Sequence, residues 1–180
     1  MTAYTHPQRT FMITSIGLLL AAMVVACLSA QPAGAQDNRN ALDKRTAEAL
    51  AAALDDERKA QAVYRAVMNR HGEVLPFRNI IRAEQRHEQR VLGLYKRYGL
   101  KAPSNPYVAA SWDKDAQEPG QPEADSEGKT VIESPATLEQ AYTQGVAAEI
   151  ENVEMYDGFL AFVAEPDIHN VFTALRRASQ

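Results

Sequence analysis

The chain has 180 residues, with 19 basic against 23 acidic side chains, a net charge of −4 and one cysteine. That length suits one domain with a sizeable core and no staples. The acidic balance excludes nucleic acid as a partner, and a single thiol excludes both a disulfide framework and a cysteine-based metal site.

Residues 1–35 follow the plan of a secretory signal: a basic Arg9, an uncharged run from Phe11 to Leu28, and a small-residue tail ending Ala33-Gly34-Ala35. Cleavage after Ala35 leaves a chain without any thiol. The alternative is Val24-Val25-Ala26-Cys27, which resembles a lipobox and makes Cys27 a lipidation site; an uncleaved membrane anchor is the third reading. All three place the remainder outside the cytoplasm, periplasmic or secreted, with residues 36–41 as a flexible start to a domain spanning 42–180.

From Leu42 to about Arg70 the chain is rich in Ala, Leu, Glu, Arg and Lys and lacks Gly and Pro, which predicts the first helix. His71 and Gly72 are expected to cap its end. Pro76 opens a second helix, in which Phe77, Ile80, Ile81, Glu84, His87, Val91, Leu94 and Tyr98 recur at spacings of three and four until Gly99. Residues 99–134, punctuated by Pro and Gly, read as a long crossover loop, with one short ordered piece around Tyr107 to Trp112 and with Trp112 as a core plug.

Ser134-Pro135 marks the start of a third helix, whose inner face carries Leu138, Ala141, Gly145, Ala148, Glu149, Asn152, Tyr156 and Phe159. Pro166 is expected to stop it. Asp167 then caps a short fourth helix with Ile168, Val171, Phe172 and Leu175 inward, ending at Gln180. The fold class is therefore all-α: a four-helix bundle of two antiparallel hairpins joined by a long crossover between helices two and three.

Glu84 and His87 lie three positions apart on a helix, so both side chains can reach one ion. They share a stripe with Ile80, Val91 and Leu94, and a carboxylate in an apolar core costs several kcal/mol unless a cation or proton offsets it. Glu57 on the first helix and Glu149 on the third occupy equivalent inward positions, and each is followed seven residues later by a tyrosine, Tyr64 and Tyr156, placing each phenol on its carboxylate's face. Glu57, Glu84, His87 and Glu149 are the expected metal ligands, with Tyr64 and Tyr156 behind them. Carboxylates with imidazole suit iron or manganese, with zinc an alternative.

In this helical order Glu57, Glu84-x-x-His87 and Glu149 resemble the ferritin-like superfamily. More narrowly, Pro76-Phe77-x-Asn79-Ile80 leading into Ala83-Glu84-x-x-His87, then Tyr98-Gly99, Pro103, Gly145-x-x-x-Glu149 and Asp167-Ile168, resemble the exported ferritin-like family catalogued as domain of unknown function 2202. The resemblance implies a carboxylate-bridged di-iron or di-manganese oxidoreductase of ferroxidase or peroxidase type, acting on dioxygen or peroxide with an external reductant. A homodimer is also compatible with it. The fourth helix departs from the superfamily pattern: a second Glu-x-x-His pair is expected there, and the chain has Ala178-Ser179-Gln180, with Ser179 at the Glu position. Single-metal binding or storage, and a metal-free interaction module with its acids paired to Arg82, to Arg86 or to each other, are the competing readings.

Overall fold

The computed structural model describes residues 41–115, 117–120 and 127–180. The signal segment, its cleavage after Ala35, Cys27 and residues 36–40 lie outside the described residues.

Helix α1 runs Lys44–His71. Asp43 caps it: one carboxylate oxygen accepts from the Thr46 amide at 3.1 Å and the other from the Thr46 hydroxyl at 2.6 Å. Gly72 ends it at φ 87°, a conformation that favours glycine. His71 does not turn back to the helix; its Nε2 donates to the Pro135 carbonyl at 2.9 Å and ties the end of α1 to the approach of the third helix. Helix α2, Phe77–Arg97, follows after a short turn and ends through Tyr98 and Gly99.

The crossover is more ordered than its composition suggests, and the all-α expectation is corrected here. Strand β1 (Tyr107–Ala109) pairs in parallel with β4 (Thr130–Ile132), and β2 (Trp112–Asp113) pairs antiparallel with β3 (Glu118–Pro119). Docking on α1 is the cause. Val108 and Ala109 are buried, the Asn69 amide donates to the Ala110 carbonyl at 2.8 Å, Arg58 donates to the Pro103 carbonyl at 2.8 Å, and the Tyr107 hydroxyl donates to Asp55 at 2.8 Å. Trp112 is half-buried rather than a core plug, with the Arg70 guanidinium 4.0 Å above its ring.

Helix α3 (Leu138–Leu160) starts later than Ser134-Pro135 predicts, because Thr137 and Gln140 form a reciprocal capping box and supply the better start. It also ends before Pro166, at Leu160. Pro166 is instead the first residue of α4 (Pro166–Ala178), the position where its missing N–H costs nothing. Asp167 therefore lies inside the first turn and is not the cap. Its carboxylate accepts from the Tyr98 hydroxyl at 2.6 Å and from Arg97 at 3.0 Å, which fastens α4 to the end of α2.

The four helices pack as a bundle in which α1 meets α2 and α3, and α4 meets α3 and α2, so α2 and α3 stand on opposite corners. Two apolar clusters form the core. One joins Leu50, Leu54, Val91, Tyr156, Ile168 and Phe172; the other joins Tyr64, Val67, Phe77, Ile81 and Ala141. Along α1 the gap between the two contains Glu57, and along α2 it contains Glu84 and His87. With 13 residues against the 23 of α3, α4 covers only part of its neighbour. Tyr142, Val146 and Ile150 remain exposed on the rest.

Candidate metal centre

Glu57 sits mid-way along α1, one turn past Leu54 and with only 1% of its surface exposed. The apolar periodicity of α1 forces it inward, and the fold has to satisfy its charge. Tyr156, itself fully buried on α3, donates its hydroxyl to Glu57 Oε1 at 2.9 Å.

The other oxygen, Oε2, has no hydrogen-bond partner among the described residues. His87 Nδ1 is 3.4 Å away, but its one proton is shared with Glu84 Oε2, which is nearer at 3.1 Å. Glu57, Glu84 and His87 thus bring one ligand atom each to within 4.8 Å of one another. Two carboxylates and an imidazole in one buried pocket, with an orphaned oxygen facing the others, form a donor set that suits a divalent cation.

The proton balance of this group follows from its burial. Removal from water pushes the Glu57 carboxyl up to about 8, against the pull of the His87 ring, and the Glu84 carboxylate adds to the rise. For His87 burial opposes the charged form, but the Glu57 and Glu84 carboxylates outweigh it and hold the imidazole up at about 9. Without a cation the cluster keeps protons that water would remove.

Glu149 stands apart from the triad. It is half-buried, and it accepts from the Tyr64 hydroxyl at 3.5 Å and from Ser179 at the end of α4. Burial raises its carboxyl, and the nearby Glu84 charge raises it further. The tyrosines therefore cross over between helices: Tyr64 of α1 serves Glu149 of α3, and Tyr156 of α3 serves Glu57 of α1. Burial, with the neighbouring carboxylates, drives both phenols well above their ordinary value, so both remain protonated donors.

Glu84 and Glu149 also line an open cavity of about 350 Å³ between α1 and α3, together with Asp56, Tyr64, Gly145 and Asn152. Asp56 was not among the expected ligands. Its carboxyl is pushed up to about 6, first by burial and then by Glu84. Its neighbour Glu57 carried the inward phase of α1, and only the gap between α1 and α3 makes room for Asp56 beside it. Of the remaining acids, Glu88 Oε1 accepts from Arg58 at 2.8 Å, and Glu151 and Glu154 are exposed. Arg82 and Arg86 are exposed and pair with no acid among the described residues, so they do not neutralise the cluster.

No curated protein and no solved structure matches the chain. The family model described as uncharacterized protein domain (DUF2202) matches residues 46–180, which takes in the four helices apart from the first two residues of α1, and every residue of the triad. The chain belongs to the DUF2202 family.

Proposed function

We propose that this chain is an exported, ferritin-like metal-binding protein that holds one divalent cation between Glu57, Glu84 and His87. The observation that carries the reading is Glu57 Oε2, an oxygen on a carboxylate 1% exposed, facing two further ligand atoms and without a hydrogen bond among the described residues. A buried carboxylate left in that state costs several kcal/mol, a cost that a retained proton offsets in the metal-free cluster and that a cation removes on loading. Iron or manganese suits the donors, and zinc binds the same set.

Each residue has a definite task. Tyr156 fixes the Glu57 rotamer through Oε1 and leaves Oε2 to the cation. Glu84 spans the triad and the open cavity, where one carboxylate can serve both sides. His87 contributes the nitrogen and, with Glu57, releases protons on loading.

A second reading, a di-iron or di-manganese oxidoreductase, is favoured by the acidic cavity itself. Asp56 and Glu149 meet Glu84 there, and the Asn152 Oδ1 on its wall is buried without a hydrogen-bond partner among the described residues. A redox metal bound there supplies electron transfer to dioxygen or peroxide. The chain's own part is to admit the oxidant beside Glu84 and to keep Tyr64 as a proton donor.

Elemental analysis of protein from its natural compartment, compared with Glu84→Ala and His87→Ala, separates these. About one ion per wild-type chain with no oxygen consumption is the expected result. About two ions with ferroxidase or peroxidase turnover establishes the second reading. Metal-free wild type overturns both and leaves a metal-free bundle.

A further inference from the structure

The outward face of α2 carries only one sign of charge. Its exposed residues include Arg78, Arg82, Arg86, Arg90 and Lys96 and no acid, because Glu84 is buried and Glu88 is taken by Arg58. Arg97 continues the face but pairs with Asp167. The four arginines recur every fourth residue, a spacing of about 6 Å and a row of about 18 Å on the helix rise. None of them has an ion pair among the described residues. Like charges four apart on a helix repel one another, so the row is unfavourable when it faces only water.

On the opposite corner of the bundle, α3 has no Lys or Arg and exposes Glu139, Glu151 and Glu154. A chain of net charge −4 is repelled by an anionic plane in most orientations. The one that turns α2 toward the plane and α3 away from it is attracted.

We propose that the α2 face docks on an anionic phospholipid bilayer, with the row Arg78, Arg82, Arg86 and Arg90 lying along the headgroups. The row winds through about 120° of the helix surface over about 18 Å, and charges spread so widely suit an extended plane better than a compact anion. The face has no exposed aromatic on which a base could stack, which argues against a nucleic-acid strand. A second copy meeting it through the acids of α3 makes a head-to-tail contact that does not close on a pair. No described helix is long and apolar enough to cross a membrane, so the contact is peripheral and electrostatic.

The test uses the full chain on vesicles of phosphatidylglycerol with phosphatidylcholine and on vesicles of phosphatidylcholine alone. Arginines are modified with phenylglyoxal and followed peptide by peptide by mass spectrometry. Modification of Arg78, Arg82, Arg86 and Arg90 is expected to be about fivefold slower or more on the anionic vesicles. The exposed Arg65 of α1 should react equally on both. The protection should vanish at about 1 M salt, where charges are screened within about 3 Å. The variant R78Q/R82Q/R86Q/R90Q, checked for helix content by circular dichroism, should lose any preference of the chain for anionic vesicles. Equal rates on the two lipids, or a variant that keeps the preference, overturn the proposal. Protection by single-stranded DNA without protection by lipid overturns it in favour of nucleic acid. Protection in lipid-free solution that grows with protein concentration overturns it in favour of a second copy.

Discussion

The Tyr156 hydroxyl on α3 donates to Glu57 Oε1 on α1 at 2.9 Å, joining two helices through a buried carboxylate. Its counterpart, from Tyr64 on α1 to Glu149 on α3, is longer at 3.5 Å and borders the open cavity. The short bond lies in the packed half of the bundle and the long one at the level where α4 ends, with Ser179 also on Glu149. Tyr156→Phe leaves both Glu57 oxygens without a hydrogen-bond donor. We expect it to destabilise the metal-free protein by about 1–3 kcal/mol, read as a lower midpoint in urea. An unchanged midpoint would show that the bond carries no net stability.

Metal affinity should rise with pH. His87 holds its proton up to about 9 and Glu57 up to about 8, and both must lose it to become ligands. Below those values the apparent affinity should climb by about one decade per pH unit for each proton displaced. Zinc titrations across the neutral range, with proton release followed in a weak buffer, check this. A pH-independent affinity with no protons released contradicts it.

The Asp167 contacts predict the acid limb of stability. Burial disfavours its charge, but the Tyr98 hydroxyl and the Arg97 guanidinium outweigh that and hold its carboxyl below 3.8. A carboxyl lowered in the folded state adds stability that is complete above its unfolded value and is lost as pH falls through its folded value. Thermal melts of the wild type should therefore fall more steeply below about pH 4 than those of Asp167→Asn. Parallel acid limbs would mean the contact has no role in anchoring α4.

Gly145 lies in the interior of α3 and borders the cavity. A Cβ there meets the Tyr64 hydroxyl at 3.7 Å and its ring at 3.8 Å, ordinary contact distances. Gly145→Ala should stabilise by about 0.5–1 kcal/mol, through lower backbone entropy in the unfolded chain. A rise in melting temperature with unchanged metal content is the expected result. A fall would show that the close approach of Tyr64 needs the bare backbone.

Much of the architecture was legible from periodicity. Phe77, Ile81, Glu84, Val91 and Leu94 fell on one face of α2 by spacing, and all five are buried. Glu57 was placed inward on the same grounds and is fully buried. Boundaries that depend on competing caps were less legible: Thr137 displaced Ser134 as the start of α3, and Pro166 began a helix instead of ending one. The short strands of the crossover depend on docking against α1, which composition does not encode.

The sequence by itself determined four helices, an inward Glu84-x-x-His87 and an inward Glu57, because helical spacing decides which side of a helix faces the core. Only the tertiary structure decided that Glu57 completes a triad with Glu84 and His87 while Glu149 stands aside with Tyr64 and Ser179. The tyrosine pairing shows why. Seven-residue spacing puts Tyr64 with Glu57 and Tyr156 with Glu149 on shared faces, yet each hydroxyl bonds the carboxylate of the other helix. Two side chains two turns apart lie about 10 Å from each other along their own axis, whereas helices in contact bring inward groups within hydrogen-bond reach.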